Sequence, residues 1–253
     1  MSDPVLTSET DGVLEVVINR PEARNAMTKA AAEAIAAAME RLDSEDSLRC
    51  AILSGAGGNF CAGMDLKGFL AGDLPMVAER GFGGLCSQPP KKPLIAAVDG
   101  FALAGGMELA LACDLIVARA DATFGIPEVT RGLVAGGGGV MRLPRRIPRA
   151  VAMELALTGD PIGARRAYEL GLVNRVTDGP AVDEARVLAR RIADNAPLAV
   201  ATTKALMRES WLWPDEEMDQ RQAGPVMKVM FSQDAREGAK AFAEKRKPDW
   251  QGR

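Results

Sequence analysis

Short apolar runs with β propensity alternate along this chain with alanine- and leucine-rich helical stretches, and glycine stands at most of the joints. That alternation restricts the fold to βα units with parallel pairing. Leu6 to Glu9 and Val13 to Asn19 flank Asp11-Gly12, a strong hairpin signal. Thr28 is placed to cap an alanine-rich helix reaching about Leu42, with Glu33 and Glu40 on its polar side. Leu48 to Ser54, Leu94 to Val98, Asp114 to Ala118 and Ala122 to Phe124 read as further strands. Gly105-Gly106 opens a helix ending near Cys113. After residue 149 helices dominate, apart from one strand near Leu172 to Val176.

Asn195-Ala196-Pro197 reads as a joint, because proline restricts the residue before it and suits a helix start after it. Only helices are expected beyond it, so the predicted organisation is an α/β core over 1–195 and a helical appendage over 196–253. The appendage carries Val226, Met227, Met230 and Phe231, too many apolar side chains for a free surface, which predicts an interface.

Composition narrows the chemistry. The chain has no histidine, which excludes a Ser-His-Asp triad, a Cys-His pair and any histidine-ligated metal. Proton transfer near neutral pH then falls to carboxylates, lysine, cysteine or the single tyrosine, Tyr168. Cys50, Cys61, Cys86 and Cys113 form no C-x-x-C pair and sit among apolar neighbours, so buried free thiols are expected and no metal site. A net charge of −3 with 4% aromatics gives neither a basic stripe nor a stacking platform for nucleic acid. Met1-Ser2-Asp3-Pro4 lacks the basic start and apolar run of a signal peptide, and the longest apolar stretch, Leu94 to Ala118, is broken by Asp99, Glu108 and Asp114. A soluble cytoplasmic protein without a membrane span is expected.

Three glycine-rich segments stand out. Gly55-Ala56-Gly57-Gly58 follows a strand, but Phe60 stands where a dinucleotide fingerprint needs its third glycine, and no Gly-Lys-Ser/Thr follows. Gly105-Gly106 at a helix start suits either an oxyanion at the free N–H groups or tight packing on the sheet. Gly136 to Gly139 implies close approach of the backbone to a ligand or to another helix.

Two carboxylates lie beside these turns. Glu108 is surrounded by Gly, Met, Ala, Leu and Cys, so it is buried or lines a cavity, and burial raises a carboxyl toward the range where it both gives and takes protons. A structural ion pair with an arginine is the plainer reading. Glu128 follows Phe124-Gly125-Ile126-Pro127 at a strand's C-terminal end, where α/β folds place ligand sites; a solvated loop residue is its plainer reading. Together they suggest paired acid/base chemistry on a polarised carbonyl.

The ordered motifs then converge. Asn19-Arg20-Pro21-Glu22-Ala23-Arg24-Asn25-Ala26, Phe60-Cys61-Ala62-Gly63-Met64-Asp65-Leu66, Gly100 to Leu109, Phe124 to Glu128, Leu157-Thr158-Gly159, Ala167 to Val173 and Ala241 to Arg246 span most of the chain. In these the sequence resembles the enoyl-CoA hydratase/isomerase (crotonase) family. The resemblance implies an α/β crotonase-like spiral of ββα units, with the CoA site and the catalytic glutamates in 1–195 and a C-terminal helical trimerisation region in 196–253. It implies a homotrimer or a dimer of trimers. Ala62 and Gly105 would supply the oxyanion-hole N–H groups, and Ala62, Gly63, Met64 and Asp65 would form the substrate-binding turn. Arg24 would meet the CoA phosphates, and Phe242 and Lys245 would reach the CoA of a neighbouring subunit. No separate cofactor is implied, because CoA arrives as part of the substrate.

Hydratases of this family carry glutamate at both the Gly-Gly-x-Glu and the Pro-Glu positions, and this chain has both, Glu108 and Glu128. The resemblance therefore favours hydration of a 2-enoyl-CoA over double-bond isomerisation by Glu128 alone, or over a silent acyl-CoA-binding member. It extends to the carnitinyl-CoA dehydratase branch, in Arg142-Leu143-Pro144 and in the ending Trp250-Gln251-Gly252-Arg253. Ala135 departs from the proline that many hydratases carry in the glycine loop. Lys67 to Lys92 is expected to line the acyl pocket.

Overall fold

The computed structural model describes residues 3–253; Met1 and Ser2, part of the N-terminal segment read above, lie outside the described residues. The chain opens with the hairpin β1 (Val5–Thr10) and β2 (Val13–Ile18), turned by Asp11 and Gly12 at positive φ. α1 (Lys29–Ser44) follows, and the Thr28 hydroxyl accepts the Ala31 N–H at 3.3 Å, as the capping reading required. Its inward face, Ala31, Ile35, Met39 and Leu42 among others, is buried, while Glu33 and Glu40 are exposed.

β3 (Cys50–Gly55) leads to a glycine turn and the short α2 (Leu66–Leu70), then to the two-residue strands β4 (Met76–Val77) and β5 (Gly81–Phe82). β6 (Leu94–Val98), β7 (Phe101–Leu103) and α3 (Gly105–Ala112) form one complete ββα unit, and β8 (Leu115–Arg119) with β9 (Thr123–Gly125) begins the next. α4 (Gly139–Arg146), α5 (Arg149–Thr158), β10 (Ile162–Gly163), α6 (Ala164–Glu169), β11 (Arg175–Thr177) and α7 (Ala181–Ala193) complete the core, and α8 (Pro197–Glu209), α9 (Met218–Met230) and α10 (Gln233–Glu244) end the chain.

The main sheet runs β1-β2-β3-β6-β8-β11 and is parallel except for the opening hairpin. Its central strands are buried on both faces, as parallel strands with helices on each side must be. Alternate residues divide accordingly. Ala51, Leu53, Leu94, Ala96, Val98 and Ile116 join the large core with α1 and α3, whereas Cys50, Ile52, Ile95, Ala97 and Val117 join a second cluster under Ala181, Ala185 and Ala189 of α7. A smaller sheet, β10-β9-β7, is extended by a bridge between Cys61 and Ala102. Successive units thus contribute one long strand to the first sheet and one short strand to the second, which winds the chain as the expected spiral.

β7 and α4 were not apparent in the sequence. β7 is only three residues long, and its turn from β6 needs Gly100 at φ +57°, where a Cβ would lie 2.5 Å from the Gly58 carbonyl oxygen. α4 contains Pro144 and begins in glycine, two features that ordinarily argue against a helix.

Candidate active site

The short strands carry the site. Cys61, Ala102 and Phe124 lie side by side, through the Cys61–Ala102 bridge and the β7–β9 register. The chain leaving each in turn yields Ala62–Asp65, the start of α3, and Pro127-Glu128. These segments line one cavity of about 460 Å³ with Ala62, Met64, Gly105, Glu108, Glu128 and Gly137 in its wall.

Ala104, the residue before α3, has φ +51° and ψ −126°, an unusual conformation for a residue with a side chain. It turns β7 abruptly into the helix. Gly105 is then the first helical residue, and its N–H has no intrahelical acceptor. The packing reading of the glycine pair is also met. A Cβ on Gly106 would fall 2.0 Å from the Cys61 carbonyl oxygen, and one on Gly105 would fall 2.2 Å from the Phe82 ring. The pair is forced by contact, and the free N–H is the by-product.

Glu108 is buried one turn into α3. The plainer expectation of an arginine ion pair is not met: Glu108 Oε1 instead accepts the Gly139 N–H at 2.9 Å. Burial pushes the carboxyl up to about 7, with the nearby Glu128 charge adding to the rise and the Gly139 and Gly137 backbones and Arg142 opposing it. The four-glycine run now has its reason. A Cβ on Gly137 would lie 2.7 Å from Glu108 Oε2, and one on Gly139 would lie 3.1 Å from Oε1. The backbone comes close to a helix, α3, at the Glu108 carboxylate, and Gly136 and Gly137 also line the cavity.

Glu128 is buried at the start of a 3₁₀ turn, Pro127–Arg131, rather than solvated in a loop. Its Oε2 is buried and has no hydrogen-bond partner among the described residues. Burial raises its pKa, opposed by its own backbone and by Arg131. An orphaned carboxylate oxygen in a cavity wall calls for a partner from a bound molecule.

The turn at 62–65 differs from the expectation in one particular. The Ala62 N–H donates to the Arg24 carbonyl at 3.0 Å, and is therefore not free to meet an oxyanion. The neighbouring Met64 lines the cavity, and its N–H has no protein acceptor among the described residues. Gly63, at φ +108°, packs on the start of α3, where its Cβ would be 3.4 Å from the Gly105 nitrogen. Asp65 is a cap rather than a substrate contact: it accepts the Lys67 and Gly68 N–H groups and pairs with Arg20 at 3.0 Å. Asn25 donates to the Ala56 and Asn59 carbonyls, so the Gly55–Gly58 segment is a pinned structural turn.

Arg24 is exposed, with its guanidinium 5.6 Å from the centroid of the Phe101 ring. Phe242 and Lys245 lie at the end of α10, both exposed and neither in the cavity wall. From the segment expected to line the acyl pocket, Met76 and Phe82 reach the wall of this cavity. All four cysteines are buried free thiols; burial alone raises Cys50, and outweighs its neighbours at Cys61, to about 12. Among the described residues no cluster of three metal-ligating side chains occurs, and no helix is long and apolar enough to cross a membrane.

What no motif revealed is that the backbone of Gly137 and Gly139 surrounds Glu108 and that the Arg142 side chain lies behind them. The Gly-rich run signalled close approach, and only the fold could say to what.

Comparison with known proteins gives the family and the fold. The profile of the enoyl-CoA hydratase/isomerase family matches residues 8–253. The carnitinyl-CoA dehydratase of Proteus mirabilis (strain HI4320) is 41% identical over 263 residues, covering 100% of both chains. The mevalonyl-coenzyme A hydratase of Beauveria bassiana (strain ARSEF 2860) is 42% identical over 254 residues, covering 94% of this chain and 91% of that one. The crystal structure of an enoyl-CoA hydratase from Mycobacterium tuberculosis H37Rv superposes with a TM-score of 0.98 at 55% identity, over 100% of both chains.

Proposed function

The chain belongs to the enoyl-CoA hydratase/isomerase family, and from that premise we propose that it catalyses reversible addition of water across the 2,3 double bond of an acyl-CoA thioester, with Glu108 and Glu128 as the acid/base pair. The observation that carries this reading is the pair itself: two buried carboxyls with raised pKa in one cavity wall, one of them with an oxygen left unpartnered. A raised pKa lets the pair hold one proton between its members near neutral pH, so that one takes a proton while the other gives one.

The thioester carbonyl is assigned to the N–H groups of Gly105 and Met64; Met64 replaces Ala62 because the Ala62 N–H is already spent on Arg24. A water held between the carboxyls loses a proton to the ionised member. Its oxygen bonds to C3, and the π electrons move onto the thioester oxygen as an enolate stabilised by the two donors. The protonated member then delivers its proton to C2. Water is consumed, and the pair ends with the same total of protons.

Leu66, Met76, Phe82, Leu103, Leu133 and Val134 form the apolar part of the wall, and Arg131 is the cation among the described lining residues. A quaternary ammonium group is held by aromatic cages; here Phe82 is the one aromatic lining residue described. This lining supports an uncharged, aliphatic acyl group. Arg24 is assigned to the CoA phosphates, and Phe242 and Lys245 to the CoA of a neighbouring copy, on the strength of their exposure.

The test is a panel of 2-enoyl-CoA thioesters with product analysis. Aliphatic substrates should give 3-hydroxyacyl-CoA, and crotonobetainyl-CoA should be a poor substrate. A shifted enoyl-CoA as the sole product would replace hydration with isomerisation, and preferential turnover of crotonobetainyl-CoA would overturn the acyl assignment.

A further inference from the structure

Arg142 and Arg146 project from α4, and both spend their guanidinium groups on backbone carbonyls. Arg146 reaches the carbonyls of Leu111, Cys113 and Asp114 at the C-terminal end of α3, where a cation suits the helix dipole. Arg142 does something different. One of its nitrogens donates to the Gly137 carbonyl at 3.1 Å and another to the Cys86 carbonyl. Among the described residues it forms no ion pair, although it is partly buried and the chain has no shortage of acids. It also packs against the loop: a Cβ on Gly138 would fall 2.0 Å from the Arg142 guanidinium. Gly138, at φ +106°, is the residue before α4, so the arginine folds back over the start of its own helix.

The loop held in this way is the one that embraces Glu108. Gly139 donates to Oε1 at 2.9 Å, and Gly137 stands close against Oε2. The Gly137 carbonyl faces the guanidinium while its Cα faces the carboxylate, so one peptide transmits the position of one group to the other. The Cys86 carbonyl ties the same guanidinium to the segment after β5, which carries Phe82, the ring packed against Gly105.

We propose that Arg142 is a positioning residue for Glu108: by joining the carbonyls of Gly137 and Cys86 it fixes the glycine loop against the carboxyl and holds the one side-chain cation that faces it. The proposal rests on the hydratase reading for its catalytic consequence; for its effect on Glu108 it rests on the hydrogen bonds that join Arg142 to the glycine loop and the loop to the carboxyl, with the charge of Arg142 a smaller influence. The titratable and charged groups facing Glu108 are Glu128 from the turn after β9, Cys86 from the segment after β5 and Arg142 from α4. Of these only Arg142 is cationic; it favours the ionised form together with the Gly139 and Gly137 backbone groups that its guanidinium helps to hold in place.

Three variants separate positioning from plain stability: Arg142→Gln, Arg142→Lys and, as a control on the same helix, Arg146→Gln. The Glu108 carboxyl is titrated in ¹³C-glutamate-labelled protein without substrate, its signal identified by loss in Glu108→Gln. Arg142→Gln should move that titration to higher pH. It should also lower kcat by roughly 10- to 100-fold with little change in KM, the size expected when a catalytic group is displaced by about an ångström. Arg142→Lys keeps the charge but not the planar fork, so it should lower kcat while leaving the titration near its wild-type position. Arg146→Gln should reduce the denaturation midpoint without moving the titration. If Arg142→Gln fails to fold, Arg142→Lys and Arg146→Gln still decide, because only the first should lower kcat at unchanged KM. An unmoved Glu108 titration in Arg142→Gln, or the same response in the Arg142 and Arg146 variants, overturns the proposal. A moved titration in a protein that hydrates no enoyl-CoA would leave Arg142 in place and remove the hydratase reading instead.

Discussion

At the scale of single residues, Glu108 trades stability for reactivity. In the unfolded chain its carboxyl ionises near 4.5, and in the folded protein near 7. Below 4.5 both states hold the proton and the folded state loses nothing. Between 4.5 and 7 the folded protein keeps a proton that the unfolded chain has released, so stability falls as pH rises through that window. Above it, the carboxylate sits ionised in a poorly solvated site, at a cost of about 3 kcal/mol. Glu108→Gln keeps an oxygen for the Gly139 N–H and cannot ionise. It should lower hydration by about 10²- to 10⁴-fold, yet raise unfolding stability by up to about 3 kcal/mol near pH 8 and by almost nothing near pH 4. Urea denaturation at the two pH values checks this, and an equal effect at both would show that the carboxyl is not held neutral by its site. Glu128→Gln should lower hydration comparably; a variant that keeps near wild-type turnover of the best substrate would dissolve the pair. Arg24 belongs to this scale too: its charge reversal should raise KM for CoA thioesters more than it lowers kcat, and an unchanged KM would take it out of the site.

At the scale of elements, the site depends on helix starts and glycine loops, and these are where sequence patterns say least. The longer strands of the main sheet and α1 are legible because an apolar run or a 3.6-residue apolar pattern reports burial directly: β6 runs from Leu94 to Val98 as read and Thr28 caps α1, whereas the strand expected at Leu172 to Val176 lies at Arg175–Thr177 and the two- and three-residue strands carry too few residues to show a pattern. Glu108 and Glu128 were legible because a carboxylate among apolar residues has few explanations. Ala62 is matched by motif as an oxyanion donor but is not free for that role, because its N–H is taken by the carbonyl of Arg24, a residue far away in sequence. The role of Gly136 to Gly139 could not be read for the same reason, since Glu108 lies about thirty residues earlier. The loop now makes a prediction of its own. Gly137→Ala places a methyl group 2.7 Å from Glu108 Oε2, so either the loop or the carboxyl must move. kcat should fall by about 10- to 100-fold with KM little changed, whereas Gly163→Ala, where a Cβ meets nothing within 4 Å, should be silent. Equal kinetics in the two variants would mean that the loop does not position Glu108.

At the scale of the whole molecule, the surface of the C-terminal helices remains to be accounted for. Val226, Met227, Met230 and Phe231 are exposed on α9 and just beyond it. Spaced four apart in two pairs, they share one side of the helix, and Met207, Trp211 and Leu212 add further exposed apolar surface from the end of α8 onward. The helices before and after α9 are tied to the rest of the chain. Lys204 of α8 pairs with Asp114 at 2.5 Å and donates to the Lys92 carbonyl. The end of the chain folds back on α10, with Asp234 accepting the Gln251 and Gly252 N–H groups and the Trp250 indole donating to the Asp194 carbonyl. α9 buries no residue of its own, and an apolar helix face held out between anchored neighbours is the pattern of a subunit interface. The protein should therefore sediment as a trimer or hexamer at micromolar concentration. Met230→Glu combined with Phe231→Ser should shift it toward monomer, because a carboxylate placed at the centre of an apolar contact must be desolvated without a partner. If Phe242 and Lys245 do reach a neighbour's CoA, the same double variant should raise KM for the CoA thioester while the isolated fold keeps its circular dichroism. A wild-type protein that sediments as a monomer would sink both the interface and the shared CoA site.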